Sequence, residues 1–463
     1  MFRTLSIVLV SSLVFSVAPL AQRGADQGPQ VDEVFSKWTS STPGCAVGVA
    51  VGGQPVLAKA YGMADLEHDI RNTPDTIFEA GSVSKQFTAM AILLLQKDGK
   101  LSVDDPVRKY IPELPEYKET VTIRHMLNHT SGLRDWGSVE SIAGWPRTTR
   151  TYTHAHVLDI VSRQKSLNYP PGQAYSYSNT GYNLAAIIVE RVSGMPFAQF
   201  EKARIFDPLG MSHTSWRDDY TRIVKNRATA YEEVKGEYHT LMPFENVYGN
   251  GGLLTTVGDL LKWNENFVGP KVGDAALIKT MVTPTTFNDG KPQQYAFGLM
   301  VDDYRGLPNI NHSGSTAGYR AHLNRFPTQR VSVAVLCNTA NGDASRSANR
   351  VSDLYLTGLG PSNTVLRDQV IRPGPRLTAA EQAAYAGEYW SDEAETRFIV
   401  AIEQGALVLK RRPDTMIALT SAARDRFRAS IGDVSFIRNA AGAVEALSIK
   451  QERVWDLRFA KVR

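Results

Sequence analysis

Apolar and polar positions alternate with a period of two at two places far apart in the chain. From Val331 to Cys337 (VSVAVLC), residues Val331, Val333, Val335 and Cys337 fall on one face, as a strand packed on a core requires. With the preceding "GYRAHLNRF" this predicts a hairpin over Gly318–Ala340. "GCAVGVAVGGQPVLAKAYG" (Gly44–Gly62) predicts another, two apolar runs around a Gly-Gly pair suited to a tight turn. Between the hairpins the period becomes helical. Residues 84–98 read as a helix stopped by Gly99, and residues 180–193 as another stopped by Gly194. The second has Tyr182, Leu184, Ala185, Ile188 and Val189 on its apolar side, and Thr255–Phe267 opens on cap residues and continues amphipathically. Strands at both ends with helices between them predict one antiparallel sheet built from both ends of an α+β domain over residues 30–360, flanked by helices and carrying a helical insertion.

The pattern changes on either side of this domain. Residues 361–377 carry Pro361, Pro373 and Pro375 and read as a linker. Residues 378–463 hold short strand-like runs with turns at Gly405 and Gly442, which predicts a small antiparallel β-barrel or sandwich. At the start, Arg3 precedes the apolar stretch Leu5–Val17, so residues 1–21 read as a secretory signal. An uncleaved anchor is the alternative. Secretion or a periplasmic location is expected, with no membrane span after cleavage.

Composition narrows the function. The net charge is +4 over 463 residues, and no Lys/Arg run interleaves with aromatics, so nucleic acid is not expected as a partner. The two cysteines, Cys45 and Cys337, lack neighbours suited to metal or thiol chemistry and read as inert buried thiols.

Three short motifs carry candidate chemistry. Ser82 and Lys85 are three apart at the start of a helix, which sets an amine beside a hydroxyl on one face. The helix's positive end would favour an oxyanion at Ser82 and, with burial, disfavour a protonated lysine. The same spacing recurs in "SRQK" (Ser162–Lys165), which reads as a solvated surface pair. Tyr177 and Asn179 in "YSN" lie just before a helix and could relay protons and orient a carbonyl or a lysine. A packed aromatic with Ser178 or Asn179 as a helix cap is the plain alternative, and "YGN" (Tyr248–Asn250) is a rival that looks more like a turn. His312 in "HSG" stands at a strand end, where Gly314 permits close backbone approach and Ser315 N–H could donate to an oxyanion.

Taken in order, Ser82-x-x-Lys85, Tyr177-x-Asn179 and His312-x-Gly314 resemble the serine penicillin-recognising hydrolases. They are most similar to the group of class C β-lactamases, D-alanyl-D-alanine carboxypeptidases, D-aminopeptidases and family VIII esterases. "TIRHMLNHTSGLRDW" and "YGNGGLLTTVGDLLKW" also resemble stretches of that group, and Tyr385–Val462 resembles a lipocalin-like barrel appended to some of its members. The resemblance implies a β-lactamase/transpeptidase-like fold over residues 30–360 and an acyl-enzyme at Ser82, formed without metal or organic cofactor. Lys85 and Tyr177 would share base and acid duty. Asn179, His312, Gly314 and Ser315 would bind substrate, a peptide or amide with a D-residue. An esterase or class C β-lactamase is the alternative, and a penicillin-binding receptor or envelope scaffold the non-enzymatic one. Class C β-lactamases have lysine where His312 stands, and a neutral or part-charged imidazole suits peptidases better. A pH-rate limb from His312 is therefore expected. The family's sheet would also bring Cys45 near Cys337, which leaves a disulfide open. The barrel could cover the site or build a homo-oligomer. A metal pair of His125 and His129 is not expected, because no glutamate follows His125 and this segment supports a loop in the family.

Overall fold

The computed structural model describes residues 27–361, 374 and 377–462. The expected signal segment 1–21 and nearly all of the expected linker 361–377 lie outside these residues. Numbering only the strands of the two large sheets, the first sheet contains β1 (Cys45–Val51), β2 (Gln54–Tyr61), β3 (Met300–Tyr304), β4 (Leu307–Thr316), β5 (Tyr319–Phe326) and β6 (Val331–Cys337). Their order is β3-β4-β5-β6-β1-β2, antiparallel throughout, so the two ends of the domain meet at the β6–β1 pair. Both expected hairpins form: β1–β2 turns through Gly52 and Gly53, at φ +61° and +82°, a region that glycine enters without strain.

Alternation along these strands separates two cores. Val47, Val49, Val331, Val333 and Val335 face a smaller core, which a helix α1 (Gly28–Phe35) and a helix α6 (Ala344–Tyr355) close. Ala46, Ala50, Ala334 and Leu336 face the main core. Small residues there let helix α5 (Val257–Glu265) lie close to β1; a Cβ on Gly48 would stand 3.1 Å from Val257 and Leu261 side chains. Helix α2 (Lys85–Lys97) is buried from Lys85 to Leu95, hence its apolar residues on every face, and packs on α4 (Asn179–Ser193). Gly99 and Gly194 follow these helices with φ of +71° and +72°.

The reading of two inert thiols is corrected. Cys45 and Cys337 are direct partners in the β1–β6 register and form a disulfide. Neighbouring side chains said nothing of this, because the pairing depends on strands 292 residues apart in sequence.

Beyond the first sheet, nine strands between Gly387 and Lys461 form the second, numbered β7 (Gly387–Ser391), β8 (Thr396–Glu403), β9 (Ala406–Arg411), β10 (Thr415–Ala418), β11 (Thr420–Ala423), β12 (Arg426–Ala429), β13 (Gly432–Arg438), β14 (Val444–Gln451) and β15 (Val454–Lys461). Strands adjacent in sequence pair from β7 to β10 and from β11 to β15, and the first strand pairs with the last. The two free edges, β10 and β11, are joined by Leu419 alone, which leaves a nearly closed barrel. It sits on the helical insertion through hydrogen bonds to backbone. Arg411 Nη1 donates to Ile142 O (2.7 Å) and Thr396 Oγ1 to Ala143 O (3.2 Å). The buried Arg134 donates to Asp456 O (2.7 Å) and pairs with Glu393 at 3.2 Å. Lys165 of "SRQK" is exposed on this boundary, 3.6 Å from Asp392, and Ser162 caps back onto Asp159 O, a surface pair as read.

Since the disulfide ties the first and last strands of the domain, 292 residues apart, Cys337→Ser should lower stability by about 2–5 kcal/mol. The measurement is a thermal midpoint that falls in the variant and that reductant lowers in the wild type only.

Candidate active site

Ser82 sits in a tight helical turn, Gly81–Ser84, that leads directly into α2. Two glycines determine how this turn meets the sheet. Gly81 has φ +51°, and a Cβ there would lie 2.5 Å from Ser315 N. A Cβ on Gly314 would lie 2.0 Å from Ala80 O. The backbones of the turn and of β4 are therefore in direct contact, an approach only residues without side chains permit. Ser84 Oγ donates to Gly81 O (2.5 Å) and accepts from Leu253 N (3.1 Å), which clamps the turn from its other side.

Lys85 is fully buried. Its Nζ lies 3.2 Å from Ser82 Oγ, 2.9 Å from Asn179 Oδ1 and 2.7 Å from Asn250 O. Burial, followed by the positive charge of Arg453, holds its pKa well below the ordinary lysine value. Asn179 begins α4, and its N–H donates to Asp135 Oδ2 (2.7 Å). Asn183, one turn on, holds Asn250 through its side chain (2.7 Å). Neither half of "YGN" supplies a reacting side chain: Asn250 offers its carbonyl to Lys85, while Tyr248 turns away to Glu190.

The Tyr177 ring lies 4.8 Å from Lys85 Nζ, and its hydroxyl is buried without a hydrogen-bond partner at normal length. Burial pushes this hydroxyl up from its ordinary pKa, so it is neutral at working pH. Behind it lies His129, fully buried, with ring centroids 4.2 Å apart and Nδ1 accepting from Ser178 N (3.2 Å). His125 instead caps its own short helix, α3 (Ile123–Leu127), by accepting from Thr122 N, so the two histidines have separate structural tasks.

His312 lies within β4 and not at the strand end expected, because the ladder with β5 continues to Thr316, and it faces the cavity with both ring nitrogens occupied. Its Nδ1 is 2.6 Å from Ser313 O, which can only accept, so Nδ1 carries the proton. Nε2 therefore accepts from Tyr295 OH at 2.8 Å. Burial and the nearby Lys85 lower its pKa to about 3. Of the two states expected for the imidazole, neutral or part-charged, these contacts and the burial favour the neutral one, which argues against the expected limb from His312 in a pH profile near neutrality.

The cavity, of about 650 Å3, is lined by Ser82, Tyr177, Asn179, His312, Gly314 and Ser315 among others, with Lys85 just behind Ser82. The seven residues singled out in sequence thus meet at one place. Tyr295 and Arg453 also belong to it, and no local pattern marked them; His129 and Asp135 belong to it as well, from the stretch "TIRHMLNHTSGLRDW", which in sequence points only to loop support.

A family model described as Beta-lactamase matches residues 25–356. A D-aminopeptidase of Gluconobacter oxydans is 29% identical over 299 residues, 64% of this chain and 56% of that protein. A penicillin-binding protein of Bacillus subtilis is 28% identical over 304 residues, covering 62% and 66%. The chain thus spans less than two thirds of the length of these relatives. An octameric penicillin-binding protein homologue from Pyrococcus abyssi superposes with a TM-score of 0.63 at 25% identity, over 94% of this chain and 98% of that one. A D-amino acid amidase from Ochrobactrum anthropi SV3 has the same fold (TM-score 0.61, 22% identity, 71% and 98% covered).

The contact between turn and strand leads to a direct expectation. Gly314→Ala must push the Ser82 turn away, at a cost of about 1–3 kcal/mol. Labelling of Ser82 by a fluorophosphonate should slow at least about tenfold in folded protein; an unchanged labelling rate would show that the approach does not matter.

Proposed function

The chain belongs to the Beta-lactamase family, and within it we propose a serine hydrolase that acylates Ser82 with peptides or amides bearing a D-residue. The observation that carries this reading is the environment of Lys85 Nζ, buried and in contact with three oxygens. A neutral amine has two N–H groups and a lone pair. With the N–H groups donated to Asn179 Oδ1 and Asn250 O, the lone pair faces the Ser82 hydroxyl. Lys85 takes that proton as Oγ bonds to the acyl carbon. The neutral Tyr177 hydroxyl then passes a proton to the leaving nitrogen as the C–N bond breaks. Water deprotonated by the same pair hydrolyses the ester. The N–H groups of Ser82 and Ser315 would hold the oxyanion, a role supported by the close contact of Gly81 with Ser315 N. His312 would shape the wall through Tyr295 rather than supply charge.

The names of the D-aminopeptidase relatives support the substrate class. Export, to the periplasm or outside the cell, is supported by the signal-like residues 1–21 and by the Cys45–Cys337 disulfide. We read the barrel as the lipocalin-like accessory domain; its chiefly sequential strand pairing supports this.

Labelling by fluorescent penicillin or fluorophosphonate should vanish in Ser82→Ala. Ligand binding that survives this substitution without any labelling would favour a receptor. Lys85→Ala and Tyr177→Phe should each lower turnover by at least about 100-fold, and near-wild-type rates in either would sink the assignment.

The base must be unprotonated, so the rate should rise with pH through the lowered pKa of Lys85 and then level off. Between about pH 5 and pH 8, profiles of wild type and His312→Gln should have the same shape. A limb lost in His312→Gln would show that the imidazole titrates in that range.

A further inference from the structure

The β14–β15 turn of the barrel, Glu452–Arg453, enters the cavity beside Tyr177. The Arg453 guanidinium lies 4.7 Å from the Tyr177 ring centroid, on a residue whose ring also lies 4.8 Å from Lys85 Nζ. Its backbone is anchored from the hydrolase side. Arg453 O accepts from Asn168 Nδ2 (3.2 Å) and Asp135 N (3.4 Å), and Asn168 Oδ1 accepts from Trp455 N (2.9 Å). Ser176 Oγ donates to Glu452 O at 3.1 Å, and Trp455 packs on Tyr169 with ring centroids 4.7 Å apart. A turn tied at this many points is a fixed part of the wall, which makes Arg453 a preorganised group.

The charge balance of the cavity shows what this group is suited to bind. Arg147 is committed to Glu245 at 2.8 Å, and Arg320 Nη1 donates to Ala317 O and Tyr319 O. Among the described residues the Arg453 guanidinium has no carboxylate partner and makes no side-chain hydrogen bond, although it is half-buried. Two carboxylates line the cavity, Glu452 on the same turn, exposed, and Asp343, which accepts from Arg346 N as a helix cap. A planar five-donor fork left unpaired beside the reacting groups matches a carboxylate, which it can bind through two parallel hydrogen bonds.

We propose that Arg453 is the specificity-determining residue for the leaving group, binding a carboxylate on the part of the substrate that departs. This deepens the proposed function and rests on it. The side of the substrate follows from Tyr177, since the hydroxyl that protonates the leaving nitrogen lies on the ring that Arg453 covers. A peptide ending in a D-residue would place its terminal carboxylate on Arg453. Ser82 Oγ bonds to the acyl carbon, the C–N bond breaks, and the serine proton reaches the leaving nitrogen through Lys85 and Tyr177. The free D-amino acid departs. The positive charge of Arg453 also disfavours a protonated Lys85, so the barrel would tune the base as well as read the substrate.

A matched pair of esters tests this without requiring a D-peptide. 3-Acetoxybenzoate carries a carboxylate on its leaving group, and methyl 3-acetoxybenzoate does not. The ratio of kcat/KM for the two is measured on the pH plateau of each variant. Wild type should prefer the carboxylate ester. Arg453→Met, which keeps the stem and removes the fork, should reduce that preference at least about tenfold, mainly through KM, and Arg453→Lys should restore part of it. The same substitution should move the acid limb of the profile to higher pH. A ratio that is unchanged in Arg453→Met, or a wild type without preference, overturns the role of Arg453 and leaves the acyl-enzyme reading standing. Hydrolysis of neither ester, with no label on Ser82, removes that reading and this inference with it.

Discussion

A buried amine with three oxygen neighbours is the constraint around which the site is arranged. In water Lys85 would carry a charge; with no solvent contact, the charged form must be sustained by its neighbours or given up. The neighbours are a hydroxyl, an amide oxygen and a peptide oxygen, none of them an anion. Arg453 and Arg147 add positive potential, and only Asp135 opposes them. Burial first and the surrounding charges second therefore favour the neutral amine. Much of the nearby structure serves to hold its oxygen partners: Asp135 holds Asn179, Asn183 holds Asn250, and α2 carries Lys85 itself.

Distance is controlled by backbone. At Gly81 and Gly314 the opposing backbone leaves no room for a Cβ, so the Ser82 turn and β4 lie closer than side chains at these two positions would permit. The disulfide and the β1–β6 ladder then join the first and last strands of the domain in the middle of the sheet that carries β4. The barrel is part of this arrangement. Its turn at Glu452–Arg453 forms one wall of the cavity and is held by hydrogen bonds from Asn168 and Ser176, so a shift of the barrel would alter the site.

Much of the fold could be read locally. The period-two runs of β1 and β6, the Gly-Gly turn and the helices ending at Gly99 and Gly194 follow from side-chain alternation and from glycine's access to positive φ. The seven candidate residues were also legible, because Ser82-x-x-Lys85 is one helical turn, Tyr177-x-Asn179 runs into a helix start and His312-x-Gly314 keeps the two-residue spacing of one strand face, although its strand runs on past it to Thr316. What could not be read was the state of each group. His312 looked titratable, yet its protonation depends on Tyr295, on Ser313 O and on burial. Cys45 and Cys337 looked inert because nothing within a few residues of either names its partner.

The sequence by itself determined the elements and the spacing within each motif, which depend on residues within a turn or two of each other, and the order of the three motifs, which is read directly along the chain. Only the tertiary structure decided that Lys85 has no water, that His312 is neutral, that the cysteines are joined and that Arg453 stands beside Tyr177. Each of these depends on burial or on contacts between residues distant in the chain; Tyr177 lies in the loop before α4 and Arg453 in a turn of the barrel. Local periodicity carries no record of such contacts, because they arise from how the finished elements pack.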